Sequence, residues 1–383
     1  MTTKALAKTA TVDTRKLYEA LRKVNYVKPH PSLTILSNTC AEFSNGKVAL
    51  TTTNLETVVR IEIDSTNTEA FPMLLPRKLT ERFVSGGNGK TSITQGKLDK
   101  QVALSRSGMG YLNLTVPLTT EFPPIPKVPD TLQWQTLDGK WFCRMLRFVS
   151  VACADALSRP VLNGVACNDG AMAAADGFRI HVLKDSRLTF GLGDKQAIIP
   201  LETINLVTKL FSKEEYIEVA FESGNINPAD LQRVHFKSGG VSLVSQLIQG
   251  NYPQYMQLVP NTFQTKVSFS SPLMVQRLNM IDVREIPSGI VKYDFRTMEH
   301  GEQLCSISAH AEDNYGEQTY NLSCPVKLEV NEGKIAFNYQ YFMDAIKPFS
   351  LCNLELLSLS SPGKFTGDIE GLVIVVMPMF VQW

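Results

Sequence analysis

Residues 161–183, VLNGVACNDGAMAAADGFRIHVL, decide how the rest of the chain is read. Val161, Leu162, Val165 and Cys167 suit a first strand, and Asn168, Asp169 and Gly170 form turns. Ala171 to Ala175 are small enough for close packing. Asp176-Gly177 is a strong two-residue turn signal between apolar runs. Phe178, Ile180 and Val182 then alternate with Arg179, His181 and Leu183, as in a half-buried strand. A distant mate runs from Val373 to Phe380, apolar on both faces, with two methionines around Pro378. A chain end this apolar is expected to be docked.

Outward from that stretch, one order of elements recurs. A helix is expected after Asp13-Thr14, with Leu17, Ala20, Leu21 and Val24 on one face. Residues 1–11 read as a loose arm. Strands follow, with a turn at Asn45-Gly46, and Pro76 opens a second helix whose apolar face is Leu79 and Phe83. Further strands lead to the proline-crowded linker Phe122-Pro-Pro-Ile-Pro. The pattern repeats with a helix over 138–154, the opening stretch, a helix after Pro200, and an exit at Asn251-Tyr-Pro-Gln-Tyr. It repeats again with helices over 272–280 and 340–349 and the apolar tail. A period of about 125–140 residues is too long for a solenoid unit, so each copy is a domain. The fold class is α+β, with expected domains 1–130, 131–260 and 261–383, each of two helices and antiparallel strands.

The 383 residues carry a formal net charge of +1, so any nucleic-acid surface must come from where the cations sit. They sit on the expected helices: Arg15, Arg22 and Lys23 on the first, and Arg77, Lys78 and Arg82 on the second. Lys140, Arg144 and Arg147 make an i, i+4, i+7 stripe on the third. Lys209 and Lys213 belong to the fourth, Arg277 and Arg284 to the fifth. If the helices share one side, that side holds phosphates without reading bases.

The seven cysteines are single, with no CxxC, which suits reduced thiols in a cytosol. Histidines are scattered, so no metal site or cofactor is expected. No apolar run reaches membrane-spanning length, and the amino terminus lacks a signal-peptide core. There is no GxxxxGK[ST], HExxH or GxSxG motif. Asp176 could be imagined as a catalytic acid, but a turn-forming Asp before Gly explains it more simply.

The runs RPVLNGV and ADGFRI, the tail VVMPM, the exits FPPIP and NYPQY, and the opening LTILSN…GKVALTTTNLET occur in an order that resembles the bacterial DNA polymerase III β subunit, the β sliding clamp. The resemblance implies a non-catalytic processivity factor: a head-to-tail homodimer whose six domains ring double-stranded DNA. It also implies a replicative DNA polymerase, a clamp loader and other clamp-motif proteins as partners, in the cytoplasm and with no membrane. By the same resemblance, a peptide-binding pocket is formed by Leu162, Ala175, Gly177, Phe178, Arg179 and Ile180, extended by Pro253, Gln257 and Leu258. Val375, Val376, Met377, Pro378 and Met379 complete it, with Asn338 and Tyr341 at its edge and Arg179 as a polar handle. Lys28, His30 and Arg159 fall near DNA contacts, and Tyr111, Leu112 and the Ile281 region at ring closure. Phe178, Gln257, Phe380 and the extension Val381-Gln-Trp383 depart from the family pattern, as do insertions near 225–230 and 326–333. The alternative is a metal-dependent DNA-processing enzyme on an α+β scaffold, which would need carboxylates converging on a metal.

Overall fold

The computed structural model describes residues 8–67, 69–96, 100–155, 159–224, 230–286, 288–313 and 316–383. Most of the expected insertion at 225–230 lies outside them. Among the described residues six α-helices are present: α1 Thr14–Val24, α2 Arg77–Val84, α3 Gly139–Ser150, α4 Leu201–Phe211, α5 Ser271–Leu278 and α6 Tyr339–Ile346. Each follows directly on a strand, and in three of them a side chain caps the entry. Asp13 accepts from Lys16 N, Asp138 from Trp141 N and Asn338 from Gln340 N. The chain falls into two compact units, one of 1–144 with 202–247, the other of 145–201 with 248–383.

The first unit is built on one antiparallel sheet of twelve strands. Its long strand Thr57–Asn67 pairs with Thr9–Asp13, Lys47–Thr53 and Val241–Gln246. Thr9–Asp13 is therefore a strand within the segment expected to be a loose arm; it is held between Thr57–Asn67 and Lys90–Gln95. The Asn45-Gly46 turn is as expected, with φ of 49° and 74°, the doubly positive geometry of a tight hairpin. Among the described residues strand Gly110–Thr115 pairs only with Gln101–Arg106 and leaves a free sheet edge.

α2 differs from its expected face. Leu79 is 50% exposed, while Arg77, Thr80 and Val84 are buried. The i, i+3, i+7 face is turned inward, and Leu79 lies off it.

The second unit has a nine-stranded antiparallel sheet and a separate four-stranded one. Arg179–Lys184 pairs with Ala171–Ala175 on one side and with the tail strand Leu372–Val376 on the other, from Arg179 opposite Val376 to Leu183 opposite Leu372. The expected mating of stretch and tail is thus a β-ladder. Gly371 permits it: φ is 76°, and a Cβ there would lie 1.9 Å from the Lys184 carbonyl oxygen.

Two details of the stretch differ from expectation. Pro160–Leu162 is a 3-10 turn, and the first strand begins at Gly164. Ile180, His181, Val182 and Leu183 are all buried, because the strand is central and covered on both faces. The four-stranded sheet runs Gly316–Pro325, Gln303–Asp313, Ile290–Thr297, Gly333–Asn338. It packs through Tyr293 and Phe337 against Phe342 of α6, the Tyr293 and Phe342 rings lying 4.1 Å apart.

Candidate peptide groove and basic surfaces

The expected groove residues lie in the second unit. Leu162, Ile180 and Val375 share one buried cluster with Tyr252 and Tyr255, and Ala175 packs against it. These residues form the floor. The two tyrosines anchor the exit segment, and the short 3-10 turn Tyr255–Leu258 leaves Met256 41% and Leu258 60% exposed. Pro253 and Gln257 are exposed on the same segment, and Gly177 is exposed in the turn before Phe178. Met377 donates its N–H to the Phe178 carbonyl at 2.8 Å, extending the ladder one step past Val376. Met379 then donates to the Ala336 carbonyl at 2.8 Å, with Pro378 buried between. The tail therefore crosses from one sheet to the other, presenting Met377 to solvent.

Arg179 does not serve as a free polar handle. Its Nε donates to Asp176 Oδ2 at 2.9 Å, Nη1 to Asp344 Oδ2 at 2.6 Å and Nη2 to the Val151 carbonyl at 2.8 Å. Its guanidinium also lies 4.5 Å from the Tyr341 ring centroid, and Phe178 stacks on that same ring at 6.2 Å. The fork is spent on internal carboxylates and a carbonyl, so what faces outward is aromatic and aliphatic. Asp176 is turn-forming, accepting from Phe178 N at 2.9 Å and Arg179 N at 3.0 Å. Asn338 caps α6 through Gln340 N and Tyr341 N, which orients Tyr341. Sequence reasoning missed Asp344. Its signal was faint: an acid one turn after Gln340, whose Nε2 donates to Asp344 Oδ1 at 2.8 Å.

Beneath the groove His181 is fully buried, and its Nδ1 lies 2.7 Å from the Phe148 carbonyl, which fixes that nitrogen as the N–H donor. Burial lowers its pKa to about 4, only partly opposed by that hydrogen bond. Burial also pushes the neighbouring Cys153 thiol up to about 12, so it is no nucleophile at neutral pH. Among the described residues no group of three or more His, Cys, Asp or Glu could hold a metal ion.

The expected basic residues divide. Arg15, Arg22, Lys28, His30, Lys78, Arg82, Lys140, Arg144, Arg147, Arg159, Lys209 and Lys213 are exposed, and Lys23 is half-buried. Arg15 is paired with Glu19 at 3.1 Å. Arg77 contradicts its expected role. It is 5% exposed and donates to the carbonyls of Val27, Asn38 and Thr53. Burial lowers its pKa to about 10, which leaves it charged and structural. Arg277 is half-buried and donates to the Ser323 carbonyl. Arg284 lies beyond α5 in a 3-10 turn, paired with Asp282 at 2.6 Å, because the helix stops at Leu278.

Of the residues expected at ring closure, Tyr111 is 74% exposed on the free edge strand and Leu112 is half-buried beside it. Ile281 is 4% exposed and belongs to the core of its own unit, so Met280, 58% exposed, is the surface residue there.

Known proteins share this organisation. The family model for the DNA polymerase III beta subunit, central domain, matches residues 136–254. The beta sliding clamp of Staphylococcus aureus is 26% identical over 358 residues, covering 86% of this chain and 87% of its own. Among solved structures, the C. crescentus beta sliding clamp superposes with a TM-score of 0.85 at 19% identity, covering 98% of this chain and 99% of its own. The beta subunit of DNA polymerase III from Thermotoga maritima gives 0.80 at 21% identity, over 98% and 100%. The structural likenesses carry the fold, and the sequence match to the Staphylococcus aureus protein spans most of the same length. On both counts the chain resembles the β sliding clamps, the β subunits of bacterial DNA polymerase III.

Proposed function

We propose that the chain is a DNA sliding clamp: two copies close head to tail around duplex DNA and tether a replicative polymerase through the groove of the second unit. Three successive domains, near 1–130, 131–260 and 261–383, fit the order α1–α2, α3–α4, α5–α6, each pair separated by strands. The exposed cations of α1 to α4, with Lys28, His30 and Arg159, supply phosphate contacts that carry no sequence information. Ring closure uses the free edge Gly110–Thr115, with Tyr111 outermost. An open edge with an exposed aromatic is a strand waiting for a partner. The protein performs no catalysis of its own, and a clamp loader opens the ring in the cytoplasm.

The observation that carries the groove is that the ladder of Arg179–Lys184 with Leu372–Val376 continues through Met377 N to Phe178 O. It fixes an exposed Phe178 and an exposed Met377 side by side over a fully packed floor. Exposed methionine and aromatic surface on a rigid base suits short apolar peptides. The test is retention on DNA. Protein loaded on nicked circular duplex should remain bound through gel filtration and be lost when the circle is linearised. Equal loss from circles and linear duplex would defeat the ring.

A further inference from the structure

We infer that Cys305 and Cys324 are a thiol pair placed to close into a disulfide, with a small-molecule disulfide such as oxidised glutathione as the oxidant. They are Cα partners on the adjacent strands Gln303–Asp313 and Gly316–Pro325. Directly opposed residues put their side chains on one face of a sheet. Two residues along the same ladder, Val326 N donates to the carbonyl of Gln303, directly opposite, at 3.1 Å. That bond marks a hydrogen-bonded pair, and the alternation of an antiparallel ladder makes Cys305 and Cys324 another, with Cα atoms about 5.5 Å apart. A disulfide spans Cα separations of about 4.4–6.8 Å, so bridging the two needs no movement of the backbone. Among the described residues no other two cysteines are opposed in a ladder.

Both side chains are fully buried. Neither thiol has a strong partner to give up. Cys305 Sγ reaches the Ser306 carbonyl at 3.9 Å and Cys324 Sγ the Pro325 carbonyl at 3.7 Å, and S–H is a weak donor.

The two thiols are not equivalent. Gly316–Pro325 is the outer strand of its four-stranded sheet and is bonded, among the described residues, to Gln303–Asp313 alone. Cys324 is therefore released by opening one ladder, whereas Cys305 sits on a strand paired on both sides. Helix α5 packs on the outer strand, and Arg277 Nε donates to the Ser323 carbonyl at 3.1 Å. This sets a guanidinium near Cys324, where its charge opposes part of the rise in thiol pKa that burial causes. Burial, and then Cys324 itself, push the Cys305 thiol well above its usual range.

Cys324 is thus the attacking thiol. Its thiolate displaces one glutathione thiolate from the oxidised dimer, and that leaving group takes up the proton. Cys305 then gives up its proton and attacks the Cys324 sulfur of the mixed disulfide, expelling the second glutathione. Two cysteines are oxidised and one disulfide is reduced to two thiols. The product pins the outer strand of the sheet covalently to its neighbour.

The experiment incubates the full-length protein, without denaturant, in oxidised glutathione at mildly alkaline pH. Remaining thiols are blocked with iodoacetamide, and disulfides are mapped by peptide mass spectrometry. A Cys305–Cys324 bond is expected as the main intramolecular product, reversed by dithiothreitol. The oxidised protein should melt about 3 °C or more above the reduced form, because the bond closes a hairpin. Cys305→Ser should stop at Cys324 joined to glutathione, and Cys324→Ser should leave Cys305 about tenfold slower to react. Arg277→Gln should slow closure about threefold at neutral pH. Thermal denaturation of the reduced variants checks that each is folded, and the result for the unaltered protein stands without them. Cys305 and Cys324 both still reduced after prolonged incubation, or a different pair of cysteines joined instead, would overturn the inference. Faster reaction at Cys305 than at Cys324 would overturn the assigned order of attack.

Discussion

Replacing Arg179 by methionine tests whether the groove is held from inside. The guanidinium makes three hydrogen bonds, to Asp176, Asp344 and the Val151 carbonyl, with its side chain 10% exposed and the two carboxylates 13% and 15% exposed. Arg179→Met leaves two largely buried carboxylates without their cation and an unpaired carbonyl. Breaking a buried ion pair from one side costs about 3–5 kcal/mol, and residual solvent contact here argues for the lower end, about 3 kcal/mol. Arg179→Lys should fall between, since a single ammonium cannot span three acceptors. The triple variant Asp176→Asn, Arg179→Met, Asp344→Asn removes the stranded charges and keeps the turn acceptor at position 176. It should recover at least half of the loss. Urea denaturation followed by intrinsic fluorescence supplies the numbers, with apolar-peptide binding measured in parallel. A loss below about 1 kcal/mol for Arg179→Met would refute the reasoning. So would a triple variant no better than the single one.

Three other outcomes follow from separate parts of the molecule. His181 is held neutral in the fold, with a pKa of about 4 against 6.5 unfolded, so the unfolded chain takes up its proton first as pH falls. Its contribution is complete above pH 6.5 and is lost progressively down to pH 4; the loss is roughly 2 kcal/mol at pH 5, and His181→Gln should flatten the slope of stability against pH in that window. Arg77→Met should destabilise the first unit by about 2–4 kcal/mol, since three buried carbonyls lose their donor, and calorimetry should show this with no change in the salt dependence of DNA retention. Arg144→Glu with Arg147→Glu should do the reverse, shortening retention on circular duplex and lowering the salt slope by about 1–2 while leaving stability within about 0.5 kcal/mol.

The sequence carried the ladder between residues 179–184 and 372–376 because both partners announce themselves: one by a turn and alternation, the other by an apolar run at a chain end. Helix starts were legible for the same local reason, since caps and prolines act within one turn. The inward face of α1 was legible too, since Leu17, Ala20, Leu21 and Val24 are all buried, but that of α2 was not. α2 buries Arg77 and exposes Leu79, a choice made by the carbonyls of Val27, Asn38 and Thr53, which are distant in sequence. The same blindness made Arg179 look like a free handle. Its acceptors Asp344 and Val151 lie far along the chain, and only folding brings them together. Ile281, placed at ring closure by the resemblance alone, is instead claimed by its own core, a burial that only the folded chain shows.

The inward turn of Arg179 has a consequence for how two different partners are held. With the cation consumed, the proposed groove presents Phe178, Met377 and Leu258, 58%, 44% and 60% exposed, and would bind by burying apolar area. The exposed arginines and lysines of α1 to α4, under the proposed function, would hold phosphates by releasing counterions instead. The two attractions therefore answer to salt in different ways. Raising sodium chloride from 50 to 200 mM should shorten the time spent on linear DNA by an order of magnitude or more. The affinity for an uncharged apolar peptide should change less than twofold, because apolar burial is nearly indifferent to screening. Measuring both on one preparation separates the surfaces without any mutation. A peptide affinity that fell in step with DNA retention would mean that an exposed charge, not the apolar surface over Leu162, Ile180 and Val375, dominates the groove.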